Sequence, residues 1–435
     1  MNSSVKQATR QKLTQIRSVQ LPRKLLLFAF LALLLAACKK GSGQSAAADY
    51  VPPDRHTLQV RTLESLWTTI DENYVYSDFH GIDWTAVHDE YLAQLEGALS
   101  DEEFTRLLET MVAELSPDEI RIQTREERLA SALTDADTYE GIGSFVAVRD
   151  EPEPRILLLS VMPGSPAEAA GLQAHDAILA VDGVPVVAGE GSDAIARVRG
   201  PAGSEVTLTI HSPGLAPRDV VLSRGRISHT ESGLQWEILD DTGVGYFQFP
   251  PVAYNGLIED FVSGLQAMDA DGALNALILD LRVVMSDDSW PAGALLTLFV
   301  DGTVGQFYSR SDASPVTIPG VSDFLDSQEI PVAILVGPDT SGSSEIFASV
   351  MQAQSRAVIL GRSTPGSVES ETLFALPNGM RASIPTSTFH TSDERELGLL
   401  GVEPDMPLDY DWDEVTPDND PVRDAALELL LSSGS

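Results

Sequence analysis

Apolar positions in the C-terminal half fall in short continuous runs separated by small-residue turns. Val332–Val336 is one run, ending in a turn at 339–344, and a helix is predicted over 345–354. A second run, 357–360, ends in Gly361 and a loop through Ser367. Such runs, alternating with a helix, predict parallel strands joined by a right-handed crossover. Sites in sheets of this kind form beyond the carboxyl ends of the strands, where both turns lie. Farther upstream, 276–282 reads as a buried strand, 257–268 as an amphipathic helix, and 244–247 as a strand. After the second turn, 372–389 predicts a hairpin bending at Pro377-Asn378-Gly379, and 424–431 a closing helix.

The N-terminal half has other periods. Leu63, Leu66, Trp67, Ile70 and Tyr74 share one helical face, as do Trp84, Val87, Tyr91 and Leu95, so both stripes are expected to be core. Ser100 and Glu103 predict a capped helix running to Leu115. Residues 139–226 alternate as strands around the turn Pro163-Gly164-Ser165-Pro166 and a short helix closed by Gly171. Residues 1–37 differ from all of this. A basic stretch with Lys6, Arg10, Lys12, Arg17, Arg23 and Lys24 precedes an apolar run too short to span a membrane, then Ala36-Ala37-Cys38. This predicts a secretory signal.

Composition adds two constraints. The formal net charge is −37, and residues 1–37 carry six basic and no acidic side chains, which leaves the remainder near −43. That charge opposes binding to nucleic acid or to bare anionic lipid. Lysine occurs at positions 6, 12, 24, 39 and 40 and nowhere later. One cysteine excludes an internal disulfide. No Cys/His cluster, HExxH or phosphate loop is present, so no metal or nucleotide cofactor is expected.

Several words resemble the tail-specific, or carboxyl-terminal processing, serine peptidases of the S41 clan. Residues 340–371, TSGSSEIFASVMQAQSRAVILGRSTPGSVESE, align without a gap to the segment carrying that family's serine nucleophile and lysine base. Tyr139-Glu140-Gly141-Ile142-Gly143, VMPGSPAEAAGL from Val161, Val181-Asp182-Gly183 and RGPAGSEVTLTI from Arg199 resemble the family's PDZ domain. Asp280-Leu281-Arg282 and Gly401-Val402-Glu403-Pro404-Asp405 resemble two further family words. Leu35-Ala36-Ala37-Cys38 resembles a bacterial lipobox, implying cleavage before Cys38 and a lipid anchor on it.

The resemblance implies an α/β multidomain fold: an N-terminal helical region, an inserted PDZ domain and a crotonase-like α/β core. The expected layout is signal peptide 1–37, tether 38–57, helical region 58–135, PDZ domain 138–226 and core 227–435. It also implies that Gly141, Ile142 and Gly143 form the loop that holds a peptide carboxylate. The catalytic words depart from the family. The nucleophile position falls on Gly342, the lysine position on Ser367, and the glutamine that supports the lysine on Glu371. Asn-Pro-Gly-Gly, which supplies an oxyanion donor in the family, is replaced by a stretch holding Asp287 and Asp288, expected to put negative charge where an oxyanion would form. Where the family has Leu-Asp-Pro-His-Ser, this chain reads Leu115-Ser116-Pro117-Asp118-Glu119. His175 replaces the glycine of a usual Gly-Asp pair and is expected to be structural or solvated.

A Ser/Lys centre needs an amine that can become neutral, and arginine cannot provide one. The lysine count therefore excludes that dyad independently of alignment. Ser341, Ser343 and Ser344 are expected to cap the helix, and Glu345 to sit in its first turn. The reading taken is a lipid-anchored, periplasm-facing pseudo-peptidase. It binds polypeptide C-termini or an active envelope protease, and touches the membrane, the outer one favoured, only through its anchor. One alternative is an active serine endopeptidase using Ser341 or Ser343 with a histidine or partner-supplied base, His390 being the residue to check. A second alternative is a structural envelope lipoprotein.

Overall fold

The computed structural model describes residues 53–435 except 116–119, 129–137, 229–232, 240–241, 271, 273, 322–323, 399, 417–418 and 434–435. The leader, Cys38 and most of the tether lie outside the described residues, as do Ser116–Glu119 and the Asp240-Asp241 pair. Residues 54–435 form one compact body.

Three helices open it: α1 (Arg55–Asn73), α2 (Trp84–Ala93) and α3 (Asp101–Ala113). The first begins three residues before the expected start of the helical region, because the Asp54 side chain accepts from Thr57 N and caps it. Ser100 and Glu103 form the expected capping box on α3. The periodic residues Leu63, Leu66, Ile70, Tyr74, Trp84, Tyr91 and Leu108 are buried together. They pack on strands of the core, against Ala382 and Ile384.

The strands, in chain order, begin with β1 (Arg121–Gln123), β2 (Thr138–Gly141), β3 (Ser144–Arg149) and β4 (Arg155–Val161). Short helix α4 (Pro166–Ala169) precedes β5 (Ala177–Val181) and β6 (Val184–Pro185), and α5 (Ser192–Val198) precedes β7 (Glu205–His211) and β8 (Arg218–Ser223). β3-β4-β5-β7-β8 is the spine of one sheet, with β6 on β5, and β9 (Gly225–Ser228) returns to pair with β2.

The core follows with β10 (Gln235–Leu239), β11 (Val244–Gln248), α6 (Leu257–Met268), β12 (Ala276–Asp280) and α7 (Ala292–Phe299). Then come β13 (Gly302–Ser309), β14 (Ala313–Ile318), β15 (Val332–Val336), α8 (Ser343–Ala353) and β16 (Val358–Gly361). β17 (Ser370–Ala375), β18 (Arg381–Thr391), β19 (Met406–Pro407) and α9 (Pro421–Ser433) close the chain. The central sheet runs β10-β11-β12-β15-β16-β19, parallel from β11 onward. Its strands read as continuous apolar runs because α6, α7 and α8 cover one face and α9 the other. β15, α8 and β16 realise the predicted strand-helix-strand unit.

The second core sheet contains β1, β18, β13 and β14, with β17 on β18. β1 comes from the end of the helical region, so that region contributes a strand to the core as well as packing on it.

Candidate functional site

The site is built at the carboxyl end of β15. Thr340 Oγ1 accepts from Gly337 N at 3.0 Å and donates to the Leu281 carbonyl at 2.9 Å, which fixes the turn beside β12. From there 341–344 is laced to 284–286. Ser341 N donates to Val284 O at 3.0 Å, and Ser286 N to Ser341 O at 3.2 Å. Ser344 N donates to Ser286 Oγ at 2.8 Å, and Ser286 Oγ donates to Ser341 O.

Helix α8 is therefore capped in part from outside its own sequence. Its N-cap is Gly342, which has no side chain to offer. The expected capping by Ser341, Ser343 or Ser344 is corrected: Ser286 accepts from Ser344 N, and Glu345 accepts from Gly342 N at 3.1 Å. Ser344 Oγ instead donates to the Ser341 and Val284 carbonyls.

Gly342 adopts φ 71°, ψ −133°, a backbone conformation that glycine adopts without steric penalty. A Cβ placed there would stand 2.1 Å from the Ser286 carbonyl oxygen. The space a nucleophile side chain would fill at 342 is thus occupied by backbone. The occupying atom is also a hydrogen-bond acceptor, whereas an oxyanion needs donors. Asp287 does not take that place: it accepts from Ser289 N at 2.8 Å and from Ser289 Oγ, and those two bonds hold its carboxyl below the ordinary value. Asp288 is solvent-exposed.

Glu345 is buried and joins the two family positions. Its Oε2 accepts from Gly342 N and, at 2.9 Å, from Ser367 N. Its Oε1 accepts from Gly366 N at 2.7 Å and from Thr364 Oγ1. Burial pushes the Glu345 carboxyl up, and the four donors only partly oppose that, so its pKa stays raised. Ser367 is held through its backbone while the residue is exposed. Glu371 faces elsewhere: it pairs with Arg121 at 2.9 Å and accepts from Ser383 Oγ. His390 lies against Tyr308, its ring tilted and 4.2 Å away, and its strand pairs with β13. Among the described contacts none joins it to Ser341 or Ser343.

The loop between β2 and β3 carries the Gly141-Ile142-Gly143 word. Ile142 O accepts from Ala167 N at 2.8 Å and Gly143 O from Met162 N at 3.0 Å. In a trans peptide the N–H points opposite the C=O, so the amides of Gly143 and Ser144 face away from that packing. β3, the strand that follows, is an edge strand of its sheet, with α5 beside it. Gly143 has φ 84°, and a Cβ there would meet Ser165 Cβ at 2.3 Å. Beside Gly141, Ile142 and Gly143, which the sequence pointed to, lie Ser144 and Arg199. Arg199 is exposed, lies over the Tyr139 ring at 5.6 Å, and borders Gly141. Its presence in the RGPAGS word was the signal available.

The back of the PDZ sheet is clamped to the core. Arg155 makes a buried two-pronged pair with Asp413, 2.8 and 3.0 Å. Trp412 Nε1 donates to Leu158 O at 3.0 Å, and His175 Nδ1 donates to Trp412 O at 2.8 Å. The His175 ring lies 4.1 Å from Trp412, and burial lowers its pKa despite that bond. Its role is domain docking, within the expected structural alternative. Leu157, Leu159 and Ala177 of the PDZ sheet pack with Val283, Trp412 and Met285. Val283 and Met285 lie just before Ser286, whose carbonyl fills the space at Gly342, so the clamp and the occupied turn are adjacent in the structure.

Fold and geometry together define a peptidase-type α/β core with an inserted PDZ domain. Residues 243–408 match the model of peptidase family S41, 62–113 that of the tricorn protease C1 domain, and 158–211 that of a PDZ domain. Its C-terminal core, 243–408, is thus similar to the peptidases of family S41. It is 27% identical to the carboxyl-terminal-processing protease of Synechocystis sp. over 423 residues, covering 94% of this chain and 93% of that protein. It is also 27% identical to the chloroplastic carboxyl-terminal-processing peptidase 2 of Arabidopsis thaliana, over 79% of this chain and 67% of that protein. The solved photosystem II D1 C-terminal processing protease superposes with a TM-score of 0.63 at 21% identity, covering 88% of this chain and 99% of that one. That likeness concerns the fold.

Proposed function

We propose that this chain is a pseudo-peptidase of family S41: it binds polypeptide C-termini through the PDZ loop and does not cut them. The observation that carries this is Gly342, whose missing side chain leaves room for the Ser286 carbonyl. Three facts add support: Ser367 at the lysine position, Glu371 in an ion pair, and no lysine after residue 40. In this reading Cys38 bears a lipid anchor and the folded body faces the periplasm, where it presents bound C-termini or engages an active envelope protease.

A peptide carboxylate would accept from the Gly143 and Ser144 amides, with Arg199 as counter-charge. Hydrogen bonds to a charged group contribute about 1.5–3 kcal/mol each. Titration with peptides ending in a free carboxylate is expected to show binding that C-terminal amidation weakens more than about tenfold. Gly143→Ala, which drives a methyl into Ser165, is expected to do the same to the free-acid peptide. Equal affinity for the two peptide forms would contradict the carboxylate assignment.

A further inference from the structure

The central sheet ends in β10, and among the described residues no strand pairs with its outer edge. An open edge offers unpaired backbone N–H and C=O groups that match another extended backbone. Natural edges are usually blunted with charge; here the strand reads Gln-Trp-Glu-Ile-Leu, with one charge and two exposed large apolar side chains. Trp236 is 44% exposed and Ile238 37% exposed. They share a face of the strand, and Trp236 lies against α6 at Gly264, where a Cβ would stand 3.0 Å from the indole. The result is an apolar shelf beside an unpaired edge.

The start of this strand opens into a cleft of about 580 Å³ between the PDZ domain and the core. Leu159, Val161 and Leu172 line it on one side, and Gln235, Gln248 and Pro251 on the other. Among the described residues of its lining the one charged side chain is an acid, Glu168. We infer that β10 is a second polypeptide station: it takes an extended, lysine- or arginine-bearing segment as an added strand, the segment continuing into the cleft under the PDZ domain.

Charge selects this occupant over a second copy of the chain. Glu237 is the middle residue of β10. A two-fold antiparallel pairing centred on the strand sets Glu237 against Glu237, and like charges directly opposite destabilise a pair. Two molecules that each carry −37 also repel. A basic segment meets neither obstacle. This station uses backbone edge and side-chain shelf, not a terminal carboxylate, and is independent of the PDZ assignment.

The test uses the purified chain with two fluorescent peptides of alternating threonine and valine. One carries lysines and the other glutamates, and both are C-terminally amidated so that the carboxylate loop cannot hold them. The lysine peptide is expected to bind and to slow amide exchange across 235–239. Glu237→Lys should weaken it roughly fivefold, the size of one exposed charge pair, and shift preference to the glutamate peptide. Ile238→Pro, which breaks the edge, should abolish binding. Should Ile238→Pro unfold the protein, the charge reversal at the exposed Glu237 carries the test alone. No binding of either peptide, equal binding of both, or a concentration-dependent dimer lost on charge reversal would overturn the inference.

Discussion

Arg282→Leu is expected to cost about 4 kcal/mol of stability near pH 7, measured by urea unfolding. Arg282 is buried between Asp280, at 2.7–3.1 Å, and Asp420, at 2.6 and 3.0 Å. Tyr246 also donates to Asp280, and the Tyr410 and Trp412 rings lie 5.7 and 5.5 Å from the guanidinium. Leucine fills the volume and leaves two buried carboxylates without their partner, a loss of about 3–5 kcal/mol. The pH dependence gives an independent check. Burial is the largest influence on Asp420 and would raise its pKa, but the charge and hydrogen bonds of Arg282 outweigh it and hold the group below its ordinary value. A carboxyl depressed in the fold contributes stability that is present above its unfolded pKa and is lost as pH falls through the folded one. In the variant the orphaned Asp420 is expected to prefer the neutral form, so the deficit should shrink below about pH 4. A deficit equal at both pH values would contradict the network's role.

The second large effect concerns the nucleophile position. Gly342→Ser is expected to destabilise by about 3 kcal/mol: backbone strain at positive φ costs about 1–3 kcal/mol and overpacking about as much again. The clash is with the Ser286 backbone carbonyl, so Ser286→Gly, which trims only a side chain, should not relieve it. Gly342→Ser with Ser367→Lys is expected to yield a folded but inactive protein. The occupied turn would still offer an acceptor where an oxyanion needs donors, and position 367 is exposed, where a lysine stays charged. Wild-type stability in Gly342→Ser, or turnover in the double variant, would contradict this account of the turn.

Much of this architecture was readable from period and words. The run 332–336, the helix after it, α6 and the hairpin turning at Asn378 were expected close to their observed bounds, because each is defined by local pattern. Helix α7 and the hairpin β13–β14 received no expectation. β1 was likewise not foreseen as a strand of the core, since its partner lies at 381–383. The same physics hid the decisive parts of the site. Ser286 caps a helix 58 residues later, and the 412–413 segment clamps strands some 250 residues earlier. Contacts of that span have no period to read. The serines before α8 looked like caps by composition; tertiary structure gave that work to Ser286 and Glu345. His175 showed only as a departure from glycine until Trp412 appeared beneath it.

The central claim is that this protein binds chain ends without cutting them. Its most direct test is turnover of an unfolded polypeptide by the purified protein, run with a fluorophosphonate probe for an activated serine. The account predicts no cleavage above background and no labelling, for wild type and for Ser341→Ala and Ser343→Ala alike. Sustained cleavage, with labelling abolished by either substitution, would contradict it and make the chain a working peptidase.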